Sequence, residues 1–114
     1  MNNLTLAVVL FLTGQTLIWF QTNGQFNWEW FANNPLILSI VGGTIISYTF
    51  IMGTKYAVEH FGGLLWPGRF LGFALGISTF ALLSWYFMGE GISWKTTTSL
   101  LLSLAIITIQ LFWK

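Results

Sequence analysis

Eight side chains in this 114-residue sequence can carry charge near neutral pH: Lys55, Arg69, Lys95, Lys114, Glu29, Glu59, Glu90 and the single His60. Acid–base and nucleophilic catalysis need such groups within hydrogen-bond reach of one another and of a nucleophile. Glu59 adjoins His60, but no serine stands at a recognisable nucleophile elbow, and cysteine is absent. One histidine with scattered carboxylates also lacks metal-ligand spacing. No enzymatic activity, cofactor or metal is therefore expected. His60, just before Gly62-Gly63, suits the C-terminus of a helix at an interface. Two roles fit Arg69. Its long side chain can snorkel to lipid headgroups, beside Glu59, or it can contact an anionic substrate. Gln15 and Tyr48 are polar groups inside long apolar runs, able to hydrogen-bond between helices or to a ligand.

The chain that must position these groups is 6% charged, 55% hydrophobic and 18% aromatic. Soluble domains carry roughly 25% charged residues. So little polar surface cannot cover a water-soluble globule, and the expected surroundings are a lipid bilayer. The same scarcity excludes a basic face for a phosphate backbone, so no nucleic-acid partner is expected.

Four apolar runs, separated by turn chemistry, predict an all-α membrane protein. The expected architecture is one domain, 1–114, of four transmembrane helices in an antiparallel bundle, at about 4–20, 35–61, 67–88 and 94–113. The first run reaches roughly 25 Å at helical rise, slightly short of a bilayer core. No Lys or Arg precedes it and no small-x-small site follows Phe20, so it reads as a span and not a signal peptide. Asn34-Pro35 offers a cap and a first-turn proline for the second helix, and Gly62-Gly63 a stop. Trp66-Pro67 opens the third, which ends near Gly89. Ser93 caps the fourth. Helices are required because four segments of this length cannot close a barrel, and lipid tolerates no open sheet edge. In the linker 21–34, Phe26, Trp28, Trp30 and Phe31 surround Glu29. They suit an interfacial aromatic belt, or a lid over a binding site.

With four spans, both termini and the second loop share one side. That side collects Lys55, Arg69 and Lys114, against Lys95 on the other. The positive-inside rule then places both termini in the cytoplasm, in a cell inner (plasma) membrane. Lys114 is placed to snorkel.

Gly68, Gly72 and Gly76 recur at spacings of four on the third helix, with Ser39, Gly43 and Ser47 on the second. Such stripes let helix backbones approach closely in lipid. They serve packing within the chain or a homodimer seam equally well.

Two stretches carry a family resemblance. Gly43-Thr44-Ile45-Ile46-Ser47-Tyr48 in the second run, and Gly76-Ile77 through Leu82-Leu83-Ser84-Trp85 to Phe87-Met88-Gly89-Glu90 and Ser93, are similar to the four-helix branch of the drug/metabolite transporter superfamily. Within that branch the stretches resemble the small multidrug resistance proteins especially, and the Gly89-Glu90 pair is shared with other small families of the superfamily. Gly14, Thr16, Leu17 and Phe20 add a weaker echo. The resemblance implies a transporter fold, with Tyr48 on a pocket tyrosine and Trp85 among the substrate-binding candidates beside Arg69 and Gln15. It departs at the family's proton-coupling glutamate, whose place here falls on Phe11. Arg69 and Gly72 stand where two pocket aromatics are expected, which argues against a cage for lipophilic cations. The expected function is movement of a small polar or anionic metabolite by a drug/metabolite-transporter-like protein, as a homodimer or a partnered half-unit. The alternative is a non-transporting accessory or scaffold subunit of a membrane complex.

Overall fold

The computed structural model describes residues 2–113, so Lys114, counted in the orientation argument, lies outside the described residues. The chain is all helical, with no strand among the described residues. Four helices are long and apolar enough to span a membrane, and the chain is an integral membrane protein surrounded by lipid. We label them α1 (Asn3–Asn23), α2 (Pro35–His60), α3 (Trp66–Met88) and α4 (Trp94–Phe112).

Their ends follow local chemistry. Asn2 caps α1, its Oδ1 accepting from the Thr5 N–H at 2.8 Å. The helix continues to Asn23, past the expected end at Phe20, because the helical hydrogen-bond ladder does not need apolar side chains: Thr22 Oγ1 donates back to the Ile18 carbonyl and the Gly24 N–H to Phe20 O. Gly62, in the left-handed region at φ 67°, ends α2. The following Gly63 N–H reaches back to Val58 O at 2.8 Å, closing the carbonyl end. Ser93 Oγ accepts from the Thr96 N–H and caps α4. The start of α2 differs from expectation. Pro35 does occupy the first turn, but Asn34 makes no side-chain cap. Its amide donates instead to Trp30 O at 2.7 Å, tying it to the short helical turn Glu29–Asn33.

The order of contacts along α1 fixes the topology. Phe11, Gly14 and Gln21 lie against Gly53, Phe50 and Gly42, so α2 runs antiparallel to α1. Phe11, Gln15 and Trp19 meet Gly72, Gly76 and Ser84 in ascending order, so α3 runs parallel to α1. The most extensive packing is α1 on α2, then α1 on α3. Helix α4 packs chiefly on α3, and none of its residues is buried. The assembly is correspondingly thin, with a shortest dimension of 21 Å, about two helix diameters.

Ala7, Phe11 and Ala57 form the core, with Phe50, Tyr56, Leu71 and Leu75 packed around them. Glycine permits this closeness. A Cβ built on Gly53 would fall 2.9 Å from Phe11 Cε1, and one on Gly68 3.1 Å from the Ala57 Cβ. The glycines of the α3 stripe therefore face neighbours within the chain. Gly43, in turn, looks toward Gln21, whose Nε2 would lie 3.9 Å from a Cβ there. Hydroxyls inside the spans are satisfied locally: Thr16, Thr44, Thr49 and Thr79 each donate to the carbonyl four residues back. This is what a low-dielectric surround demands of a polar side chain.

Candidate functional site

Helices α1, α2 and α3 enclose a groove of about 1210 Å³. Its deepest wall is the line of close approach between α1 and α3. Here Gln15 leans over Gly76, whose missing side chain makes the space: a Cβ would sit 2.8 Å from Gln15 Nε2. That Nε2 donates to Gly72 O at 3.5 Å, the outer limit of a hydrogen bond, so most of the amide's capacity stays unused.

One end of the groove is set by the start of α3. Pro67 fills the first turn and is buried, and Gly68 is pressed on Ala57 of α2. Arg69 follows directly and lines the groove beside Trp66, Phe70 and Thr54. The Trp66 and Phe70 rings stack at 5.9 Å. At the other end Thr22 and Asn23 complete the lining. Between them the surface is apolar and aromatic, with Phe11, Phe50, Phe73 and Phe80. Among the lining residues Arg69 is the single charged one. Arg69 thus places a positive charge at one end of the groove, and no carboxylate lines it.

Of the residues that the sequence marks for substrate binding, Gln15 and Arg69 share this groove with Gly68, Gly72 and Gly76. Tyr48 and Trp85 do not line it; both side chains are largely exposed on other faces, at 65% and 58%. Residues the sequence reading passed over are Trp66, Phe70, Phe73 and Phe80. Their signal was available, since spacings of four, three and seven hold them on one side of α3. The groove is aromatic after all, but its rings come from positions other than those of the cation cage.

Phe11 stands where the resemblance expects a coupling carboxylate. It is 4% exposed, wedged between Gly53 and the Phe50 ring, 6.0 Å away between centroids, with Gly72 on its other side. A carboxylate could not take that place without stranding charge in a packed apolar junction. Trp19, which also lines the groove, donates from Nε1 to the buried Ser84 Oγ at 3.0 Å, pinning α1 to α3. The linker aromatics turn both ways. Trp28 packs on Phe20 and Phe87, and Asn27 donates to Phe87 O, whereas Phe26 and Trp30 stay exposed as belt residues do. Among the described residues no group of His, Asp and Glu is placed to hold a metal ion.

Compared with protein-family models, curated proteins and solved structures, the chain matches none.

Proposed function

We propose that this protein is a small membrane transporter of the drug/metabolite-transporter kind, moving a small polar or anionic solute through the α1–α3 groove. The observation that carries the reading is the groove itself: about 1210 Å³ along the helices, with Arg69 as its one charge and the Gln15 amide held nearly free beside it. An apolar cleft with a few convergent polar groups is the usual form of a small-molecule site. The buried Phe11 argues against proton coupling from α1. The setting is an inner (plasma) membrane with both termini cytoplasmic, which puts Arg69 at the cytoplasmic mouth. A homodimer is the working unit, because α4 has no buried residue and leaves a face free for a second copy.

The test is uptake by liposomes carrying the purified protein, with a panel of anionic and neutral metabolites. Uptake of anions above empty liposomes, abolished by Arg69→Ala, supports the reading. Uptake equal to empty liposomes for every anion, with Arg69→Ala silent, overturns it. Co-purification of a stoichiometric foreign subunit would favour the accessory-subunit alternative.

A further inference from the structure

We infer that the groove takes an anionic lipid, its phosphate headgroup on Arg69 and one acyl chain laid along the aromatic side of α3 toward Phe80. This rests on the reading of the groove as the substrate site, and names the class of substrate.

Size is the first argument. At about 1210 Å³ the groove exceeds the ~300–1,000 Å³ of ordinary small-molecule pockets. Shape is the second. From Trp66 to Phe80 the α3 wall rises about 21 Å at 1.5 Å per residue, more than the ~15 Å of hydrocarbon in one leaflet. A chain entering at headgroup level therefore meets groove over its whole leaflet. The opening is the third. Helix α4 supplies nothing to the lining, and two of the lining aromatics, Phe73 and Phe80, are still 42% and 50% exposed. An apolar cleft whose walls remain accessible from the flank opens toward lipid.

Charge and depth select the headgroup. Arg69 lies in the first turn of α3 next to Trp66, which is 68% exposed as an interfacial indole should be. A guanidinium meets phosphate through two parallel hydrogen bonds. No carboxylate in the lining competes for it. Gln15, level with Gly72 to Gly76, lies about 5–10 Å deeper by helical rise. The shallow end of that range meets the ester groups beneath a lipid phosphate, and the amide's free N–H is a donor for an ester carbonyl.

Native mass spectrometry after extraction from an equal mixture of phosphatidylglycerol and phosphatidylcholine with matched chains tests this. The wild type should retain phosphatidylglycerol about tenfold over phosphatidylcholine, because the choline ammonium of the latter repels Arg69 and offsets the attraction of the phosphate that both lipids carry. Arg69→Gln should bring the ratio near one, and Arg69→Lys should restore part of it. Lys55→Gln, an exposed cation outside the groove, should leave it unchanged. Ile77→Trp, which fills the groove, should lower retention of both lipids. Equal retention by the wild type, or an unchanged preference in Arg69→Gln, overturns the inference. A preference that millimolar inorganic phosphate erases also overturns it, because the site then serves a soluble anion. Arg69-dependent uptake of soluble anions without lipid preference sinks the lipid and leaves the transport reading standing. Lipid preference without any solute movement does the reverse.

Discussion

Replacing the glycines around Phe11 one at a time separates two ways the three inner helices could be held. Phe11 is 4% exposed, and its ring edge would lie 2.9 Å from a Cβ on Gly53 but 4.0 Å from one on Gly72. The first distance is a clash. The Phe11 ring, packed 6.0 Å from Phe50 between centroids, can yield only by giving up that packing, and the Leu10 Cβ also lies 3.4 Å from the same built atom. Overpacking of this kind costs about 1–3 kcal/mol. The second distance is ordinary contact. Gly72→Ala should then gain about 0.4–1 kcal/mol from a less flexible unfolded chain. Gly76→Ala falls between: the clashing atoms are the end of the Gln15 side chain, which can turn into the groove and give up its 3.5 Å bond. The assay is reversible unfolding in mixed micelles with increasing denaturing detergent, followed by helicity. Gly53→Ala should lie about 1–3 kcal/mol below Gly72→Ala, the overpacking cost alone, because the gain from a stiffer unfolded chain is common to both. Gly72→Ala should also keep the oligomeric state of the wild type. Equal destabilisation by both would refute the wedge and move the α3 stripe to an interface with another molecule.

Three further outcomes are expected. Trp19→Phe removes the donor to the buried Ser84 hydroxyl and should cost about 0.6–1.5 kcal/mol; in Ser84→Ala background the same change should cost clearly less, and full additivity would mean the pair is not coupled. Gln21→Leu leaves Leu38 O without its 3.0 Å side-chain donor in the π-helical turn Leu38–Gly42, so hydrogen exchange there should quicken while that of α3 is unchanged. Compartment-sensitive reporters fused to each end should both signal from the cytoplasm, and signals from opposite sides would contradict an even number of spans.

The spans were legible because length, hydropathy and end chemistry act locally. Ser93, Gly62-Gly63 and Pro35 mark ends through groups within a few residues, and the structure places helix ends at each. Asn34 fails to cap for an equally local reason: its Nδ2 donates to the Trp30 carbonyl, which holds the side chain back on the preceding turn, and its Oδ1 makes no cap bond. What the sequence could not show is pairing. A glycine stripe announces close approach without naming the neighbour, and only the fold puts Gly76 under Gln15 and Gly53 against Phe11. Trp19 and Ser84 stand 65 residues apart, with nothing in either to foretell the bond. Within the site, Arg69 and Gln15 were visible as rare polar types in apolar runs. The spacing of Trp66, Phe70, Phe73 and Phe80 put them on one side of α3, but rings on one side do not by themselves distinguish a groove wall from a lipid-facing side.

The outboard position of α4 has a consequence for the order of events during synthesis. At about 5–20 residues per second, chains assemble from the N-terminus onward. The hairpin of α1 and α2 can close first, and α3 can then dock beside α1 through Gln15, Trp19 and Ser84. The groove is lined by residues 11–80 alone, so it needs nothing from residues 94–112 to form. Sequence change in α4 is thereby uncoupled from the groove, so the two can evolve at different rates: one held by the packing of α1, α2 and α3, the other by α3 and whatever lies beside it in the membrane.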